Sequence, residues 1–269
     1  MADAGRPDNA RPPARRRREA IFVALIAAVL AAVGAAIGAL LLGRGGLPTS
    51  ATEEGADIVT LWKWLLGLAG AVAGVVVAFL AVALYQAWRD RNEGEPEQVS
   101  GNVKLELVYT AIPLAIVGLV FGLSLATEDA IEADASPDAL QVDVTGFQWG
   151  WRFEYEDGPT VIGAAPDLPE LVLPADRSVR LELRSSDVIH SFFAPAFLTK
   201  LDLIPGRTNS LVVTTDRVGV YPGHCAEFCG LDHPRMNFTV RVVPQDEFDE
   251  WAEAAARAGD RAERGGNGG

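Results

Sequence analysis

The sequence predicts a membrane-anchored chain in which apolar helices come first, an exported all-β domain follows, and one short helix closes the fold. Two observations predict it. Long, nearly charge-free runs fill the first half, and short runs of alternating apolar and polar residues fill the second, separated by Pro, Gly and Asp. With 49% hydrophobic side chains in 269 residues, there is enough apolar surface for one packed domain plus a substantial apolar section.

Residues 1–19 are a basic N-terminus with six arginines, four of them consecutive at Arg15 to Arg18. Three apolar runs follow: residues 20–43 (AIFVALIAAVLAAVGAAIGALLLG), 65–88 (LLGLAGAVAGVVVAFLAVALYQAW) and 105–126 (LELVYTAIPLAIVGLVFGLSLA). About 20 such residues cross a bilayer as a helix, and soluble helices carry a polar face that these lack. The second and third predict a transmembrane hairpin within residues 60–127. The first reads as an uncleaved anchor or as a cleaved signal peptide, although its apolar run exceeds the roughly 7–15 residues usual in a signal. Lys and Arg near span ends favour the cytoplasmic side. The N-terminus is therefore expected inside, residues 89–104 with Arg89, Arg91 and Lys104 inside, and everything after about 127 outside, whether or not the first run is removed.

The exported domain is expected over residues 128–245. Runs such as LQVDVTG, WRFEY, SVRLELRS, NSLVVTT and MNFTVRVV alternate with period two and read as half-buried strands. About seven to nine of them in roughly 110 residues suggest a sandwich or Greek-key barrel. At PQDEFDEWAEAAARAGD the period changes, and Pro244 and Asp246 start a helix over 246–258 with Phe248, Trp251 and Ala255 on one side. Residues 259–269 have little to bury and are expected to be a disordered tail. The exported part holds 25 acids and 12 bases, which accounts for the full net charge of -13. Such a surface disfavours nucleic acid and favours a basic protein partner.

The chemistry concentrates in HCAEFCGLDHPRM, residues 224–236. Apart from Met1 the chain has one methionine, two cysteines and three histidines, and these thirteen residues hold five of those six. A Cys225–Cys229 disulfide would close a very short loop, stabilise little, and leave the histidines and the methionine unexplained. Zinc suits two Cys and two His but has little use for a thioether. Cys, His and Met on one loop suit a copper electron-transfer site, to which SDVIHSFF adds His190 from a strand end. One thiolate is then surplus to a mononuclear site, and two thiolates on one tight loop can bridge two copper ions.

The pattern Cys-x-Glu-x-Cys-x-x-x-His-x-x-Met resembles, at every position, the binuclear copper A loop of subunit II of the haem-copper cytochrome c oxidases. The resemblance continues through DVIHSFFAPAFLTKLDLIPGRTNS (187–210) and GFQWGWRFEY (146–155) and covers about residues 60–258. It implies a cupredoxin-like Greek-key barrel carried by transmembrane helices in a bacterial plasma membrane, with the copper domain outside. It also implies Cys225 and Cys229 as bridging thiolates, His190 and His233 as terminal imidazoles, and Met236 and the Glu227 carbonyl as the remaining ligands. The Glu227 side chain would face a magnesium at the boundary with catalytic subunit I. Trp149 would be where the electron from cytochrome c enters, and Glu106 a proton-pathway entrance. His224 falls outside this ligand set. Phe147 and Gly150 stand where the family often has His and an aromatic, so the donor-facing surface near Trp149 is expected to differ, and near Glu106 Tyr109 replaces the family's usual Trp.

No Ser-His-Asp set and no phosphate-binding glycine loop is present. The site is therefore expected to move electrons, with a copper-delivery protein, a quinol-oxidising relative lacking copper ligands, and a disulfide-held structural domain as the competing readings.

Overall fold

A computed structural model describes residues 25, 26, 28–36, 38, 46–89, 101–132, 135–156 and 158–266. The basic N-terminus, half of the 20–43 run, the 90–100 connection and the last three residues lie outside the described residues. Two compact units result, Met1–Gly46 with Trp62–Gly118, and Leu47–Leu61 with Leu119–Gly269.

The first unit is helical. Residues 28–36 are helical, followed by α1 (Glu53–Arg89) and α2 (Val103–Ile131). Both named helices are long and apolar enough to cross a membrane, and no residue of α2 is buried. Each starts on a polar cap. Thr52 Oγ1 accepts from Gly55 N–H at 3.1 Å, and Asn102 Oδ1 from Leu105 N–H at 3.2 Å, satisfying donors that a helix start leaves unpaired.

The second unit is the all-β domain, with ten strands in two five-stranded sheets. They are β1 (Leu140–Phe147), β2 (Gly150–Tyr155), β3 (Thr160–Ala164), β4 (Glu170–Pro174), β5 (Ser178–Ser185), β6 (His190–Ala194), β7 (Thr199–Leu203), β8 (Asn209–Thr214), β9 (Gly219–Cys225) and β10 (Asn237–Val243). One sheet has the order β3-β2-β1-β5-β8, the other β4-β10-β9-β6-β7. Neighbours are antiparallel except β1 with β5 and β4 with β10. Alternation along β1, β5 and β10 puts Val142, Val144, Leu181, Leu183, Phe238 and Val240 inside.

Ten strands exceed the seven to nine expected, because short strands such as β4 do not alternate. Its ELVLP run is buried at four consecutive positions. The β7–β8 connection turns at Pro205-Gly206, where Gly206 has φ 76 and Arg207 N–H reaches the Ile204 carbonyl at 3.1 Å, a turn open to glycine but strained for a β-branched residue.

The two sheets are tied by Tyr155. Its hydroxyl accepts from Val172 N–H at 2.8 Å and donates to the Val172 carbonyl at 2.9 Å. The same ring packs against Phe248 and Trp251 of α3 (Gln245–Gly266), so the expected apolar side of this helix is the side that docks. The helix does not end at 258 but continues to Gly266, which corrects the expected tail at 259–266. Nothing in AAARAGDRAER breaks a helix as proline would, and Glu253 pairs with Arg257 one turn on.

Candidate metal centre

The site forms where β6, the end of β9 and the loop after β9 meet. Cys225 ends β9 opposite Phe192 of β6, and two residues back along β6 lies His190, buried and facing inward. The loop returns through a 3-10 turn at His233–Arg235, and the Met236 carbonyl accepts from Cys225 N–H at 2.9 Å. That bond closes the loop, so the twelve residues from Cys225 to Met236 become a ring of donors.

The donor spacing is tight. Cys225 Sγ lies 3.8 Å from Cys229 Sγ, 3.9 Å from His190 Nδ1 and 3.2 Å from the Glu227 carbonyl oxygen. Cys229 Sγ lies 3.6 Å from His233 Nδ1 and 3.7 Å from Met236 Sδ. Ligands about 2.3 Å from a tetrahedral metal stand roughly 3.7 Å from each other. Both cysteines are free, at nearly twice the reach of an S–S bond, so the disulfide reading does not describe this fold. Among the described residues, His190, Cys225 and Cys229 form a group able to hold a metal ion, with all ligand atoms within 4.8 Å of one another.

Electrostatics favour a cation here. Burial raises the Cys225 thiol, but hydrogen bonds from the His190 ring and from the backbone at Ser191 and Glu227 outweigh it and bring it down to about 6. Burial pushes the Cys229 thiol up to about 12, and the neighbouring negative Cys225 adds to the effect. One thiolate therefore forms readily, while a second beside it is costly without a positive charge between them. Burial alone would lower His190, but Cys225 and Asp187 raise it.

Residues outside the donor set hold it in place. His190 Nε2 is bonded to Asp187 Oδ1 at 2.8 Å, which leaves Nδ1 facing Cys225. Burial raises Asp187, but the His190 ring and the N–H groups of Gln148 and Val188 hold it below the usual carboxylate value. Gln148 Nε2 and Trp149 Nε1 both donate to the Cys229 carbonyl, at 2.9 and 3.1 Å. Trp151 is fully buried and donates to the Met236 carbonyl at 3.4 Å. Beneath the site Trp151, Phe192 and Phe238 pack with ring centroids 4.8–6.1 Å apart.

Sequence reading missed Asp187 and Gln148. The first had a usable signal, a carboxylate three residues before a candidate ligand, whereas Gln148 lies some eighty residues from the loop it holds.

The other singled-out residues sit as follows. Trp149 is half-buried against the loop. His224 points to the opposite face of β9 from Cys225, edge-on to Phe193 at 5.1 Å, and is not brought to the donors. Phe147 and Gly150 are paired in register, and a Cβ at 150 would lie 2.5 Å from the Gly163 carbonyl oxygen and 2.7 Å from the Phe147 ring, so the neighbouring strand and that ring leave no room for a side chain there. Glu106 lies in the first turn of α2, where its carboxylate accepts from Asn102 N–H at 3.1 Å.

Known proteins resemble this chain along most of its length. The family described as cytochrome c oxidase subunit II, periplasmic domain, matches residues 167–243. The probable cytochrome c oxidase subunit 2 of Streptomyces avermitilis is 35% identical over 258 residues, and that of Streptomyces coelicolor 34% over 257, each match covering 80% of both chains. A crystal structure of the periplasmic domain of subunit II of cytochrome oxidase (CoxB) from Bradyrhizobium japonicum is 34% identical, covering 47% of this chain and 97% of that one with a TM-score of 0.42. With donor loop, anchoring helices and full-length relatives in agreement, the chain belongs to the cytochrome c oxidase subunit II family.

Proposed function

We propose that the chain takes electrons from cytochrome c at the outer face of a bacterial plasma membrane and delivers them to the catalytic haem-copper subunit, which reduces oxygen to water and translocates protons. The reading rests on one observation, the convergence of two thiols, two imidazoles, a thioether and a backbone carbonyl at 3.2–3.9 Å spacing.

That donor set suits copper, and Cys225, Cys229, His190, His233, Met236 and the Glu227 carbonyl are the groups that would hold a pair of copper ions. When bound, the pair supplies a one-electron reservoir shared by two metals. The protein's part is rigidity. Asp187 fixes the His190 ring, the Cys229 carbonyl is held by two side chains, and buried aromatic rings keep water from the sulfurs, so the donors keep their places as charge changes. Trp149 is the natural point for the electron to enter, since one hydrogen bond joins its indole to a thiolate residue while part of its ring stays accessible. The Glu227 side chain is left for a magnesium at the boundary with subunit I, and Glu106 for proton uptake. The acidic exported surface would steer a basic cytochrome.

The test is metal content and spectroscopy of the full chain in detergent. Two coppers per chain sharing one unpaired electron are expected. A single copper, or zinc in the natively assembled complex, overturns the assignment. Trp149→Ala is expected to slow oxidation of cytochrome c with copper content unchanged, and unaltered turnover removes that role. Retained metal that cycles in place separates this reading from copper delivery, which needs exchangeable metal.

A further inference from the structure

The helical stretch at residues 28–36 meets α1 through glycines on both sides. A Cβ on Gly34 would lie 2.6 Å from the Gly70 carbonyl oxygen, and one on Gly70 would lie 2.8 Å from the Gly34 carbonyl oxygen. A Cβ on Gly74 would lie 2.6 Å from the Leu30 carbonyl oxygen and 2.7 Å from Ala31 Cα. No side chain fits at these three positions, so backbone touches backbone.

Gly34 and Gly38 stand four residues apart, as do Gly70 and Gly74, which puts both members of each pair on one helix face. In lipid such faces let two helices approach closely enough for dispersion to hold them together. The same spacing recurs at Gly118 and Gly122 of α2, where an added Cβ would meet nothing within 4 Å. Spacing alone therefore does not create the contact. The first apolar segment and α1 match as a pair of surfaces.

The connection to α1 points the same way. Thr49-Ser50-Ala51 is the type of small-residue run after which signal peptides are cut. Yet Ser50 and Ala51 are buried parts of the β unit. Ala51 N–H donates to the Ala196 carbonyl at 2.9 Å, its carbonyl accepts from Asp216 N–H at 3.1 Å, and Thr52 N–H donates to Ser50 Oγ at 3.1 Å. A cut there would strip these groups from the fold.

We infer that the first apolar segment stays on the mature chain as a third membrane span, clasped to α1 across Gly34, Gly70 and Gly74. This glycine face of α1 is then occupied by the chain itself. The inference does not depend on the metal assignment.

The decisive measurement is the intact mass and N-terminal sequence of this subunit in the oxidase purified from its host. The full chain of 28.6 kDa, less at most Met1, is expected. A mature N-terminus at or beyond residue 44 overturns the proposal. The clasp is tested separately with Gly74→Ile against Gly67→Ile, a position on the same helix where a Cβ meets nothing within 4 Å. Gly74→Ile is expected to reduce the amount of chain in assembled oxidase about tenfold relative to Gly67→Ile. Equal assembly of the two variants overturns the clasp.

Discussion

The β unit and the apolar helices use the same kinds of side chain in opposite ways. Phe153, Leu181 and Phe238 of the sheets are almost entirely buried, whereas Phe121 of α2 is 63% exposed and Leu114 70%. The sheets bury their apolar residues against each other, and water is excluded from the donors by the chain's own packing. The helices leave theirs for surroundings of matching polarity, which for spans of this length is lipid and neighbouring subunits. The lesson is one of self-sufficiency. The buried donors sit in the sheets, which close on themselves, and the apolar surface left open sits on the helices, which do not.

Four changes would break or sharpen this comparison. The largest effect is expected from Cys225→Ser, which removes one of the two sulfurs of the proposed centre. Copper should fall from two per chain to at most one, with loss of the shared-electron signal, and retention of both coppers would mean that the donors are not as assigned. Next comes the same truncation in a sheet and in a membrane-length helix. Phe153→Ala should cost about 3–5 kcal/mol in urea unfolding of the detergent-solubilised chain. Phe121→Ala should change the same transition by less than about 0.5 kcal/mol. If both cost alike, α2 is packed within its own chain and the contrast fails.

Smaller again is Asp187→Ala, which removes the group that holds Nε2 of His190 and also pairs with Gln148 N–H. Copper affinity should weaken roughly 10–100-fold by competition with a chelator, while the β unit stays folded. An unchanged affinity would mean that packing alone orients the ring. The smallest effect is set by pH at Tyr155. Burial raises its phenol above the ordinary value of 10.0, so the neutral form is favoured in the fold. Its contribution is fully present below pH 10.0 and is lost as pH rises from there toward the folded value, at about 1.4 kcal/mol per pH unit at most. Tyr155→Phe should flatten that alkaline decline, and an unaltered slope would place its origin elsewhere.

Much of this was legible from the residues. Thiol, imidazole and thioether side chains are scarce in the chain, so their gathering in residues 224–236 stands out without any coordinates. The alternation in β1, β5 and β10 follows from the pleat, and the apolar face of α3 from its period. Three things were harder to see. β4 is buried at four consecutive positions, so no alternation marks it as a strand. The roles of Gln148 and Asp187 depend on side chains crossing from one loop to another. The fit between Gly34, Gly70 and Gly74 needs the relative rotation of two helices, which each helix's own period leaves open.

Composition and periodicity by themselves determined that this chain has apolar spans, an acidic exported β domain and one loop rich in metal ligands, because those properties follow from the order of side chains along a strand, a helix or a turn. Only the tertiary structure decided which strands pair, that His190 reaches Cys225 across thirty-five residues, and which helix faces touch. Those outcomes depend on closing long loops and excluding water between distant segments, and no local pattern encodes the distance between two parts of a chain until the core between them has formed.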